Sequence, residues 1–399
     1  MDLTRIAAMF GQRQRGHALP QGLYLDRDAF EFDLAAMFGT GWLFAGFEAE
    51  VRAAGDYLAL QVGDWPVIIV RGKDLELRAF HNSCRHRGSL LCHPGQGNAA
   101  RLTCPYHRWT YGLDGKLLAA GRMPVDFDKT DYSLQTVHLE TVAGTMFICL
   151  AETPPRFETI RAELTPLLAP HRFDHAKIAA QSVLVEYGNW KLVMENAREC
   201  YHCPTGHPEL ARTFPTGVSA HFESVDDHAR SFDARMVALG LPSGPVEQDW
   251  WQAVRFPLNP DTTSMTIDGK PSVAKLMCET GGGDIGSLRW AMEPNSFCHS
   301  IADYTFAFSA MPVGPAETHV VSKWLVHEDA VEGADYDLAT LTELWTRTNV
   351  QDKTFVETNQ AGVRSLGYRP GPYSPEAESL TMRFTDWYCA AAEKYLAHG

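Results

Sequence analysis

The sequence predicts an α+β protein with two successive domains, a small β-rich one and a larger one mixing helices and strands. Two patterns carry this expectation. Between Gly55 and Leu150 the chain runs in short alternating segments broken by Gly63-Asp64 and Gly72-Lys73-Asp74 turns. After Thr153-Pro154-Pro155 the pattern changes to helical periodicity and longer strands. A length of 399 residues agrees with two or three domains of ~150 residues each.

Residues 1–40 read as short helical patterns and loops. Residues 57–62, 67–71 and 75–80 read as strands, and 146–150 as the strand that closes the β-rich region. The expected division is a helical segment at 1–44 packing on the larger domain, a β-rich domain at 45–155, and the larger domain at 156–399. Helical patterns follow at 156–170 and 189–203. Segments 286–313 and 317–327 look like paired strands turning at Val313-Gly314-Pro315. A long helix is expected over about 335–361, and a last one over 375–396. No internal repeat is visible.

Composition excludes several classes. With 45% hydrophobic and 21% charged residues, disorder and low complexity are ruled out. Lys plus Arg number 35 against 49 for Asp plus Glu, a formal charge of −14 that argues against nucleic acid or anionic lipid as a partner. No apolar run approaches the ~20 residues that a membrane span needs. Residues 1–15 lack an apolar core before their arginines, so no secretory signal is expected and the chain reads as cytoplasmic. Nine cysteines would be reduced thiols there, so Cys/His spacings point to metal rather than to disulfides.

The first such spacing is Cys84-x-His86, followed by Cys104-x-x-His107 with 17 residues between the pairs. Two thiolates and two imidazoles suit zinc or an iron–sulfur cluster. Zinc modules usually pair Cys with Cys and His with His. Here each loop offers one of each, as a Rieske [2Fe–2S] cluster requires, with two cysteines on one iron and two histidines on the other. Gly88 and Pro105 would let backbone amides approach the sulfurs. Cys92, His93 and Cys149 do not fit the spacing and read as structural.

The second constellation begins in the run 189–202, read as one helix. At ~100° per residue, Glu195, Glu199 and His202 share a face, opposite Trp190, Val193, Met194, Ala197 and Tyr201. Pro204 and Gly206 end the helix and present His207 from the following turn. Two histidines suit non-haem Fe(II) if a carboxylate completes the set. Asp352 is the candidate, because it lies within an apolar stripe of Leu338, Leu341, Trp345 and Val356, where a carboxylate is costly unless paired or metal-bound. Three different roles stay open. Cys200, His202, Cys203 and His207 could form a zinc site, Glu195 could be a solvated charge, and Asp352 could pair with Arg347 or Arg364.

These residues resemble the Rieske non-haem iron oxygenases, catalytic α-subunit, over about residues 40–390. The two Cys/His pairs match the family's cluster motif, and Glu195-x3-Glu199-x2-His202-x4-His207 its mononuclear-iron motif. Arg108 departs from the family's usual Gly. Glu199 departs from the usual bridging Asp, and Glu-Cys-Tyr-His-Cys is similar to the quaternary ammonium branch, which oxidises glycine betaine, carnitine and proline betaine. Residues 349–352, 359–363, 370–374 and 284–294 resemble the glycine betaine type in particular.

The resemblance implies a catalytic domain with a curved antiparallel sheet covered by helices. It implies a monooxygenase fed by a flavin/iron–sulfur reductase, with Cys84, His86, Cys104 and His107 on the cluster and His202, His207 and Asp352 on Fe(II). It further implies a homotrimer in which Glu199 joins His107 of one subunit to His202 of the next. The expected reaction hydroxylates an N-methyl group of glycine betaine, giving dimethylglycine and formaldehyde. Trp290, Phe297, Tyr304, Phe306 and Phe308 could hold the cation through their ring faces. Competing readings are carnitine or proline betaine as substrate, an aromatic-ring hydroxylase with the same metals, or a Rieske ferredoxin. The second motif and the added length argue against the last.

Overall fold

The structure is a computed structural model that describes residues 1–216, 227–248 and 250–398, the side chain of His398 excepted. It divides into two compact units, Phe38–Arg161 and Met1–Met37 with Ala162–Gly399. None of the helices among the described residues is long and apolar enough to cross a membrane.

The smaller unit holds ten strands: β1 (Trp42–Phe47), β2 (Asp56–Val62), β3 (Trp65–Arg71), β4 (Leu77–His81), β5 (Gly95–Asn98), β6 (Leu102–Thr103), β7 (Thr110–Tyr111), β8 (Leu117–Ala119), β9 (Thr136–Val142) and β10 (Thr145–Cys149). Seven form one sheet in the order β1-β10-β9-β4-β3-β2-β5, and β6-β7-β8 form a second. β1 overrides the helical expectation for 42–44. Its six residues are all buried, and five of them pair with β10, Trp42 opposite Cys149, with a shift of register at Ala45. A continuous apolar run of strand length suits a ladder covered on both faces. Ile68, Val70, Phe80, Trp109 and Tyr111 centre the core, with Cys84 and Cys104 inside it.

The larger unit is built on a seven-stranded antiparallel sheet, order β11-β17-β16-β15-β14-β13-β12. The strands are β11 (Ala176–Glu186), β12 (Val246–Glu247), β13 (Trp251–Phe256), β14 (Ser287–Met292), β15 (Ser296–Ser300), β16 (Thr305–Gly314) and β17 (Glu317–His327). Irregular pairing at Ile178/Ala180 and Pro312/Gly314 adds local twist to the curled sheet. Segment 286–313 is thus three strands rather than one, turning at 293–295 and 301–304. Three helices matter for the site: α1 (Trp190–Asn196), α2 (Leu338–Val363) and α3 (Ser379–His398), with α1 against α2, α3 and β16.

The helix expected over 189–203 ends at Asn196. Asn189 caps its start, accepting from the Lys191 amide and donating to the Tyr24 and Pro315 carbonyls. Beyond Asn196 stronger partners claim the backbone. Arg289 donates to the Ala197 carbonyl, Arg198 is held by Glu293, and the Glu199 carboxylate accepts the Tyr201 and His202 amides. Side-chain acceptors of this kind compete with helical hydrogen bonds.

Candidate metal centres

In the smaller unit, the loop after β4 carries Cys84 and His86, and the loop between β6 and β7 carries Cys104 and His107. The two loops close alike. The Gly88 amide donates to the Cys84 carbonyl at 2.8 Å, and the Arg108 amide to the Cys104 carbonyl at 3.1 Å. Each closing residue is left-handed, Gly88 at φ +75° and Arg108 at φ +62°. Arg108 therefore takes a conformation that glycine reaches without strain.

Both thiols are buried and in contact, while both imidazoles are exposed. The imidazole rings lie 4.7 Å apart by centroid, and His86 stacks on Trp109 at 4.8 Å. Burial raises the Cys84 thiol pKa. At Cys104 burial is outweighed by the Tyr106 and His107 amides, which pull the pKa down. The Tyr111 hydroxyl adds a contact to the Cys84 sulfur at 3.3 Å. Amide and hydroxyl donors around sulfurs suit thiolate ligands of a cluster. Cys92 stands apart, its thiol pushed up to about 11 by burial, its backbone held by Asn82. Cys149 is buried in β10.

In the larger unit, three ligand-type atoms converge. His202 Nε2 and His207 Nε2 are 2.9 Å apart, and Asp352 Oδ1 lies 3.3 Å from the first and 2.9 Å from the second. Bonds of about 2.1 Å at right angles place ligand atoms about 3.0 Å apart, so the triad matches one face of an octahedral metal ion. Each imidazole is fixed through its other nitrogen. His202 Nδ1 meets Glu199 Oε1 at 2.5 Å, and His207 Nδ1 meets Gln351 Oε1 at 2.8 Å. Asn196 donates to Asp352 Oδ1 at 2.7 Å.

The electrostatics favour a cation at this point. Burial works against a charged His202, yet Asp352 and Glu199 together hold its pKa up at about 9. Burial works against a charged Asp352, yet the two imidazoles hold it down at about 2. Cys203 also lies close to the histidines, 4.0 Å from His202 Nε2. Its sulfur is bonded to that of Cys200, which corrects the expectation of nine reduced thiols and removes both thiolates as zinc ligands.

The carboxylates around the triad are sorted by their contacts. Arg347 pairs with Glu209 and Glu343 rather than with Asp352. Glu357 accepts the Tyr187 amide and pairs with Lys353. Glu195 is not a solvated charge: it is half-buried, accepts from Tyr24 and Tyr373, and loss of solvent pushes its pKa to about 7. Asn196 carries no motif in the sequence, while Gln351 and Arg289 lie in the stretches 349–352 and 284–294 that resemble the glycine betaine type, where the resemblance implies no role for either. For Gln351 one signal is present, its position beside Asp352.

A pocket opens over the triad, walled by Phe214, Phe297, His299, Trp345, Thr348 and Arg289. Phe297 and His299 share a face of β15, and Trp345 stacks on His299 and, at 4.1 Å, on Phe306. Of the five aromatics expected to hold a cation, Phe297 alone lines this pocket among the described residues. Trp290 bonds Ser300, and Tyr304 bonds the Met265 carbonyl and Trp345.

Comparison with known proteins finds matches in both parts of the chain. Residues 173–393 match the family of the ring hydroxylating alpha subunit (catalytic domain), and residues 41–129 the Rieske [2Fe-2S] domain. The glycine betaine monooxygenase oxygenase subunit of Pseudomonas aeruginosa is 43% identical, the match covering 96% of this chain and 90% of that one. The subunit of the same name from Chromohalobacter salexigens is 42% identical, covering 96% and 87%. Among solved structures, a quaternary ammonium Rieske monooxygenase superposes with a TM-score of 0.74 at 24% identity, covering 96% of this chain and 97% of the other.

Proposed function

The chain belongs to the Rieske non-haem iron oxygenases, and on that ground we propose that it hydroxylates an N-methyl group of glycine betaine, giving dimethylglycine and formaldehyde. The observation that carries the substrate is the likeness to glycine betaine oxygenase subunits, which runs through both units rather than through the metal motifs alone. The pocket is compatible: ring faces hold a trimethylammonium group, which has no hydrogen-bond donor of its own.

The family's cofactors are a Rieske [2Fe–2S] cluster and a mononuclear iron. In this reading Cys84, Cys104, His86 and His107 hold the cluster, and His202, His207 and Asp352 the iron. Bound there, the cluster supplies electrons one at a time and the iron supplies O2 activation. The chain's own residues set the conditions. Glu199 and Gln351 fix the imidazole tautomers so that both Nε2 lone pairs face the metal position. Asn196 orients the Asp352 carboxylate. Phe297, His299 and Trp345 keep water from the methyl group under attack. The N-hydroxymethyl product then loses formaldehyde and leaves the demethylated amine.

The same reading includes a homotrimer in the cytoplasm, served by a reductase, with Glu199 joining His202 to His107 of a neighbouring subunit. The exposed His86 and His107 imidazoles support a cluster that gives up electrons through its histidine side. The test is formaldehyde release and NAD(P)H use with a panel of glycine betaine, carnitine, proline betaine and aromatic acids. Tight coupling with glycine betaine is expected. Turnover of aromatic acids with none of any betaine would overturn the substrate and leave the metal chemistry standing.

A further inference from the structure

We infer that Arg289 binds the carboxylate of the substrate and thereby selects a betaine over a simple quaternary ammonium cation. This rests on the substrate reading above and adds the residue that recognises the other end of the molecule.

Arg289 lies on β14, is 4% exposed, and lines the pocket over the metal triad. Its five donors find one partner among the described residues, the Ala197 carbonyl at 3.1 Å. It forms no ion pair with any described carboxylate. The neighbouring Arg198 is different, because Glu293 takes it in a two-pronged pair at 2.9 and 2.7 Å. That pair is internally neutral, which leaves one buried positive charge over. Glu199 and Asp352 are already engaged with the imidazoles. Burial and then the adjacent Arg198 lower the Arg289 pKa to about 9, against the weaker pull of Glu293 and Cys298. A buried charge without a partner is costly, so the pocket calls for an anion.

Register supplies the geometry. Arg289 pairs across the ladder with His299, and Ala291 with Phe297, so the guanidinium and the aromatic wall share one sheet face. The pocket thus offers a forked cation donor beside a wall of rings. A betaine carries a carboxylate two bonds from its ammonium nitrogen, and so can meet the guanidinium and the rings at once. Arginine suits a carboxylate because its fork can donate two parallel hydrogen bonds. Anchoring through Ala197 ties the bound carboxylate to the segment that carries Glu199 and His202.

The experiment titrates glycine betaine and choline into holoenzyme by calorimetry, with reductase omitted so that binding is read without turnover. Choline keeps the trimethylammonium group and replaces the carboxylate by an alcohol. Arg289→Gln should weaken glycine betaine roughly 10- to 150-fold, the range for losing a buried charged hydrogen bond. Choline affinity should stay within about twofold, since its recognition is through the rings. Arg289→Lys keeps the charge without the fork and should lose an intermediate amount. Rieske absorption and iron content report folding in each variant.

Betaine affinity unchanged in Arg289→Gln would overturn the inference. So would equal losses for betaine and choline, which would mark a structural role. Wild-type enzyme that binds choline but no betaine would remove the basis for it. Wild-type enzyme that demethylates betaine while Arg289→Gln binds it normally would leave the substrate reading intact and defeat this inference alone.

Discussion

Replacing Gln351 by leucine should loosen the mononuclear iron while leaving the Rieske cluster untouched. His207 is buried, and its Nδ1 meets the Gln351 carbonyl oxygen at 2.8 Å. Leucine fills much of the same volume but leaves that N–H without an acceptor. An unsatisfied buried polar group costs about 1–3 kcal/mol. At about 1.4 kcal/mol per tenfold, this predicts iron affinity lower by roughly 5- to 150-fold, a range that contains the 10–100-fold typical of lost outer-shell partners. The lost Gln351 Nε2 bond to Glu209, 3.0 Å long, contributes less, because Glu209 keeps Arg347 at 3.0 Å. Glu209→Gln is therefore the control and should stay within about threefold. The assay is anaerobic Fe(II) titration against a competing chelator, with Rieske absorption followed in the same sample. Unchanged Fe(II) affinity in Gln351→Leu would refute the reasoning, and parallel loss of the Rieske signal would mean general unfolding instead.

Asp352→Ala should abolish oxygenation and mononuclear iron binding but keep the Rieske spectrum; normal turnover would place the third ligand elsewhere. Glu199→Ala, which also removes the partner of His202 Nδ1, should weaken mononuclear iron as Gln351→Leu does. In protein reloaded to full iron content it should still slow reoxidation of a pre-reduced cluster when substrate and O2 are mixed in, with Glu199→Gln slowed less; unimpaired reoxidation would show that electrons take another route. Purified protein should contain about three irons and two inorganic sulfides per chain, and stoichiometric zinc without sulfide would exclude the cluster. Burial raises Glu195 to about 7 from 4.5, against the opposing pull of Tyr24, Lys191 and Tyr373 and with some help from Glu378, so the fold prefers it protonated. Its contribution is complete below about pH 4.5 and declines as pH rises to about 7. Glu195→Gln should flatten that decline, by about 3 kcal/mol at most, in denaturant melts across the range.

Much of the architecture is legible in the sequence because it is locally encoded. Strands β2, β3 and β4 alternate between Gly-Asp turns, and α2 and α3 carry long helical periodicity. Strand β11 has no such signal. Its eleven residues run Ala-Lys-Ile-Ala-Ala-Gln-Ser-Val-Leu-Val-Glu, with clean alternation missing, and ten of them pair with β17, more than a hundred residues away in the chain. Such pairing follows from a distant partner, which local pattern does not reveal. β1 is hidden for a related reason, since a run buried on both faces has no alternation to read.

The metal residues show a different limit. His and Cys at short spacing announce themselves, because few structures need those side chains that close together. Helical periodicity does not align Glu199 with His202, since the helix that would carry both ends at Asn196. The carboxylate still meets His202 Nδ1, because it also accepts the two amides of Tyr201 and His202 and so turns the chain back on itself. The short separation was informative where the assumed periodicity was not. Gln351, Asn196 and Arg289 have no such signature. Each is an ordinary polar residue on a helix or strand, and its role appears only when α2, the end of α1 and β14 converge on one pocket. The ligand types limit which metals can sit there, whereas these positioning side chains decide how firmly the metal is held and what lies beside it. Two enzymes with the same motifs can therefore differ in substrate without a change at any ligand, and the residues that make the difference are those a motif search passes over.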